Sequence, residues 1–137
     1  MKVLTARLGQ FAFSALLLTI MFRYVLHLCI GNGNSFTAIL CAVVYFGLMF
    51  FTGWYFWGKD VEENGIHDIG FRFHLVTYIL CIGCGYAAGG VGWNAEPLRS
   101  IMITAISWGI GLLVHFVCFL VAQKNSIKGY AREEIFQ

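Results

Sequence analysis

His74 and His115 are the residues of this 137-residue chain best suited to chemistry. Both fall in apolar, uncharged stretches, where an ionisable side chain is costly and usually has a task. An imidazole there can ligate a b-type haem iron or a metal ion, relay a proton, or hydrogen-bond to a neighbouring helix. Suppose that helices begin near residues 71 and 98 and run antiparallel. His74 then lies about one turn inside its helix, and His115 about two turns before the end of the other. Both come to a similar depth near one face, within reach of one another. Tyr78 and Thr77, on the helix of His74, are the interhelical hydrogen-bond partners that would satisfy His115 with no cofactor at all. The plainer expectation is therefore no cofactor and no bound metal, with haem b ligated by His74 and His115 as the alternative.

Arg23 is the second unusual residue. A guanidinium inside an apolar segment costs a few kcal/mol on insertion scales unless it snorkels or pairs. Snorkelling toward the nearby chain reversal is expected. The alternatives are a pore-facing position or an ion pair with Glu96, the sole carboxylate expected on that side. Arg23, Thr77, Thr104 and Ser107 are the groups that would line an oligomeric channel. Five cysteines are present. Cys81 and Cys84 have C-x-x-C spacing but lack the βαβ setting of a thiol oxidoreductase, so small-hydrophobe behaviour is expected of them. No P-loop, G-x-S-x-G or H-E-x-x-H pattern occurs, and no catalytic residue is assigned. Asp60, Glu62, Glu63, His67 and Asp68 form a charged run, expected to be a solvated linker rather than a cation site.

The elements that must carry these residues follow from where charge is missing. Leu8 to Phe22, Tyr24 to Gly58, Phe73 to Ala95 and Ser100 to Gln123 hold no Asp, Glu, Lys or Arg. A helix crosses a hydrocarbon core of about 30 Å with about 20 residues. The second gap holds more than one crossing and is broken by Gly31-Asn32-Gly33-Asn34-Ser35, a turn by composition. Four transmembrane helices are predicted near 8–30, 36–57, 71–92 and 98–122. They form an all-α integral membrane protein of two antiparallel hairpins. The expected organisation is a first hairpin over 1–57, a linker loop over 58–70, a second hairpin over 71–123 and a polar tail over 124–137. Pro97 suits the first turn of the fourth helix, with Asn94 and Glu96 as capping groups beside it.

Four crossings put both termini on one side. Lys2, Arg7, Lys59, Arg72, Lys124, Lys128 and Arg132 share that side, and Arg99 stands alone opposite, so the positive-inside rule places both termini in the cytoplasm. Trp54, Trp57 and Trp93 lie at predicted helix ends, where indoles favour the interface. The first segment is too long for an ordinary signal-peptide core and lacks a small-x-small cleavage site, so it is expected to remain.

Composition agrees. Hydrophobic residues make up 59% and charged residues 12%, and the mean hydropathy is +0.75. A soluble domain of this length could not hide so much apolar surface in one core. A soluble enzyme, a disordered tail and a nucleic-acid-binding domain are excluded, since a net charge of +2 gives no polyanion footprint. No room is expected for a catalytic domain outside the bilayer.

From about Asp68 onward the chain resembles the bacterial 2TM domain family of Bacteroidetes type. Phe71-Arg72-Phe73-His74-Leu75-Val76-Thr77-Tyr78 opens one helix, and Trp108-Gly109-Ile110-Gly111-Leu112-Leu113-Val114-His115 lies in the next. The tail from Ile127 to Phe136 is similar to the ends of many members. The first hairpin does not match. The resemblance implies a helical hairpin in a bacterial inner membrane and no particular activity.

Small residues at i, i+4 spacing add the last expectation. Gly83 and Ala87, Gly85 and Gly89, and Ser107 and Gly111 form faces along which helices can approach closely in lipid. Together these features predict a non-enzymatic inner-membrane protein that forms homo-oligomers and acts as an assembly, sensing or effector module. Its partners would be the lipid bilayer, further copies and a cytoplasmic protein at the tail 124–137, with no nucleic acid.

Overall fold

The computed structural model describes residues 4–65, 70–93 and 97–133, with side chains as far as Val121 and at Lys124. The described residues hold four helices and no strands: α1 (Ala6–Gly31), α2 (Ser35–Asn64), α3 (Phe71–Gly90) and α4 (Leu98–Glu133). Each is long and apolar enough to cross a membrane, α4 by its portion Leu98–Val121.

Local chemistry sets the ends. The Thr5 hydroxyl caps α1 by accepting from the Leu8 amide at 3.2 Å, and the Asn34 side chain caps α2 by accepting from the Thr37 amide at 3.2 Å. Each satisfies one of the amides that a helix start leaves without a carbonyl. Between them the chain turns through Gly33, whose φ of +69° suits a residue without Cβ. α2 does not stop at residue 57. It continues through the charged residues to Asn64 and ends at Gly65, a left-handed cap whose amide donates to the Val61 carbonyl at 2.9 Å. The 30 residues of α2 span about 45 Å, more than the apolar thickness of a bilayer, so Lys59 to Asn64 project beyond the apolar stretch. α4 likewise runs on past residue 122, through the first part of the expected tail to Glu133.

α1 packs against both α2 and α3, and α4 packs against α3. The reason lies in the side chains of α1. Leu8, Phe11, Ala15, Thr19 and Leu26 recur at helical spacing and are its buried residues. Phe11 is 1% exposed and sets its ring 5.0 Å from that of Phe73 on α3 and 6.5 Å from that of Phe56 on α2. Met49, Phe73 and Cys81 complete this core, with Trp108 of α4 packed against it. α4 is otherwise held loosely: Ile101 is its one buried residue among those described. Phe36, Phe46, Phe50 and Trp54 on α2, and Ile103, Ile106, Ile110 and Val117 on α4, are exposed. So much contiguous apolar surface would aggregate in water, whereas lipid tails accept it without cost.

Candidate functional site

The two histidines come together. The rings of His74 and His115 lie 4.7 Å apart, centre to centre, at 58°. Phe71, one turn before His74, sets its ring 6.0 Å from His115 and stacks on Phe119 at 5.6 Å. This spacing does not fit haem. Two imidazole nitrogens on opposite sides of one metal, each about 2 Å from it, hold their ring centres about 6 Å apart, with the macrocycle between. No group of three or more His, Cys, Asp or Glu able to hold a metal occurs among the described residues. Tyr78 and Thr77 are engaged elsewhere: the Tyr78 hydroxyl donates to the Ala105 carbonyl at 3.1 Å, and Thr77 donates to the Phe73 carbonyl at 2.9 Å. Tyr78 approaches α4 at Gly109, where an added Cβ would stand 3.4 Å from its hydroxyl.

Arg23 turns into the bundle rather than snorkelling outward. Its guanidinium lies where a Cβ on Gly85 would be, 2.9 Å from Nη2. The missing side chain of Gly85 makes the notch that admits it. A crevice of about 170 Å³ collects Arg23 with Thr19, Tyr45, Cys81 and Thr104. Here the Thr19 and Tyr45 hydroxyls are 2.8 Å apart, and Tyr45 reaches Cys81 Sγ at 3.0 Å. Thr19 also donates to the Ala15 carbonyl at 2.7 Å, so the hydroxyls stay satisfied inside the apolar bundle. The five cysteines are free, and Cys81 sits in this network as a buried thiol. Glu96 and Asn94 lie outside the described residues, as do His67 and Asp68.

The small-residue faces separate. Gly85 is buried against Arg23 and Ile101, while Gly83, Ala87, Gly89, Ser107 and Gly111 are exposed, and added Cβ atoms at Gly83 and Gly111 would meet nothing within 4 Å. The groups considered for a channel reach no common path in one chain. Thr77 lines a groove described below, Arg23 and Thr104 line the crevice, and Ser107 is exposed on α4.

Charged groups that the sequence reading left as a solvated run are in part structural. Asp60 is 0% exposed. Its Oδ2 accepts from Arg72 Nη2 at 2.6 Å and its Oδ1 from Asn64 Nδ2 at 2.9 Å. Arg7 Nε donates to Glu63 Oε2 at 2.9 Å, and a second guanidinium nitrogen contacts the other carboxylate oxygen. Glu63 lies beyond the apolar part of α2, and the hydrogen bond from Arg7 holds its carboxyl below the usual carboxylate range. These contacts tie the ends of α1, α2 and α3 at one level. Only the spacing of Asp60 and Asn64 at i, i+4 could have hinted at this in the sequence.

A broad concave feature lies beside this charged end. α2 and α3, with Phe11 of α1 and Trp108 of α4, enclose a groove of about 590 Å³. That volume suits a small-molecule site. Its wall is mostly Phe, Tyr and Trp, with His74, Thr77 and Gly53 among the remainder. Trp57 lines it, and the Trp57 Nε1–H is buried with no acceptor among the described residues. No motif or spacing in the sequence marks this groove, because its wall is assembled from residues of all four helices. Comparison of the chain with family models, curated proteins and solved structures finds no match.

Proposed function

We propose that the chain is a multi-pass protein of a bacterial inner membrane that has no catalytic role, assembles with copies of itself and serves as a membrane-embedded assembly, sensing or effector module. The observation that carries this reading is the one-sided support of α4. It packs chiefly on α3, and Ile101 is its one buried residue among those described. Ser107 and Gly111 leave an exposed, shallow track along it. In lipid, association is driven by close van der Waals packing, and such a track is where a second backbone approaches best. The two hairpins would stand with both termini in the cytoplasm, as the Lys/Arg distribution favours. The likeness of α3 and α4 to 2TM hairpins supports the same placement, and the extension of α4 beyond residue 122 would offer a cytoplasmic partner its docking segment.

The test is the particle mass in mild detergent and in lipid nanodiscs, with chemical cross-linking as a second readout. Wild-type chain should run as a discrete oligomer, and Gly111→Leu should shift it toward monomer, since that side chain meets open space within one chain. A wild-type chain that is monomeric in both media refutes the assignment.

A further inference from the structure

We propose that the groove between α2 and α3 binds a lipid-soluble quinone: a flat ring bearing carbonyl acceptors, with an apolar tail that lies along the bilayer. Such binding is independent of self-assembly and follows from the make-up of the wall.

Among the described residues the wall contains no Leu, Ile or Val, although these residues abound elsewhere on the same helices. A slot for an acyl chain is satisfied by aliphatic side chains. A wall of Phe46, Phe50, Trp54, Trp57, Phe73 and Trp108 instead offers faces and edges to a planar π system, whose stacking adds to simple area burial. The groove is thus built for a ring.

Polar groups in the wall narrow the class further. The Tyr45 hydroxyl is taken up by Thr19 and Cys81, and the Thr77 hydroxyl by the Phe73 carbonyl. The indole N–H groups of Trp57, Trp54 and Trp108 and the imidazole of His74 remain. The first is a buried donor without an acceptor among the described residues, an arrangement that costs free energy until an acceptor arrives. An indole nitrogen only donates, so the ligand must bring an oxygen. A quinone carbonyl is such an acceptor on an apolar ring. His74 stands in the same wall beside His115 and can serve a second carbonyl. The groove is lined by exposed residues of α2, including Phe46, Phe50 and Trp54, so a ligand can enter sideways from the bilayer.

The test uses the full chain in nanodiscs of saturated phosphatidylcholine, titrated with a short-tailed benzoquinone. Bound quinone is measured by equilibrium separation and by quenching of tryptophan fluorescence. Saturable binding near one quinone per chain is expected. Gly53→Phe should abolish it by filling the groove, because an added Cβ there meets only Phe11 at 3.7 Å. Gly47→Phe, which faces open space on the same helix, should bind as wild type. Trp57→Phe keeps an aromatic ring but removes the donor, and should weaken binding about five- to tenfold. If Gly53→Phe fails to fold, Trp57→Phe still decides the matter. The idea is overturned by uptake that is linear in quinone and equal in all variants. It is also overturned by unchanged affinity in Trp57→Phe, or by a diacyl phospholipid that copurifies in the groove and is not displaced by quinone. Particle mass is read on the same samples, so failure of binding and failure of assembly are separately visible.

Discussion

Replacing Arg72 by Met should be among the most damaging single changes in the chain. The substitution keeps most of the side-chain volume but leaves the Asp60 carboxylate fully buried, with Asn64 as its one remaining donor among the interactions described above. Breaking a buried ion pair by removing one partner costs about 3–5 kcal/mol, because the other charge stays desolvated and uncompensated. Asp60→Asn removes the charge but keeps an acceptor for Arg72, and should cost about 1–2 kcal/mol. The double variant Arg72→Met with Asp60→Leu leaves no charge stranded. It should recover most of the loss, since well-packed apolar replacements of buried pairs are often neutral. Unfolding free energies in mixed micelles, followed by tryptophan fluorescence, give the full cycle. If Arg72→Met costs less than Asp60→Asn, or if the double variant is no more stable than Arg72→Met alone, the pair does not hold the ends of α2 and α3 in the way its geometry implies.

Gly85→Leu should expel the Arg23 guanidinium from its notch and cost about 1–3 kcal/mol, whereas Gly83→Leu, two residues away and facing open space, should leave thermal stability in detergent unchanged. Tyr45→Phe should cost about 1 kcal/mol by removing the hydroxyl that joins Thr19 to Cys81, while its stacking on Phe22 at 4.3 Å persists; equal stability of variant and wild type would discount the network. Glu63 has its carboxyl lowered by Arg7, so its contribution is present at neutral pH and lost as the pH falls below about 4. Stability of Glu63→Gln should therefore be flatter than wild type over that range when both are titrated in the same micelles.

Four helices long and apolar enough to cross a bilayer were legible in the sequence because charge is missing over runs of about that thickness. The turn at Gly33 was legible for an equally local reason. The ends of α2 and α4 were not. Charge marks where apolar sequence stops, but a helix continues through Lys59 to Asn64 as long as its backbone bonds are satisfied, and stops at a left-handed glycine. Depth arithmetic brings His74 and His115 to one level, because rise per residue is fixed. The direction of a side chain is different. Arg23 was expected to reach outward, yet the gap left by Gly85 and the hydroxyls of α1 and α2 make the interior the better place. Whether Asp60 is a solvated or a buried carboxylate depends on an arginine twelve positions onward, and no periodicity carries that information.

The placement of α1 has a consequence for biogenesis. Of the four described helices, the earliest in the chain is the one flanked by two others. Its first companion, α2, arrives within a few residues, but the flank carrying Arg23 waits for α3 and its glycine notch. If the chain inserts in a bilayer, the guanidinium is expected to stay near a headgroup layer through that interval. A ribosome pause or truncation before α3 is then expected to leave α1 shallow in the lipid.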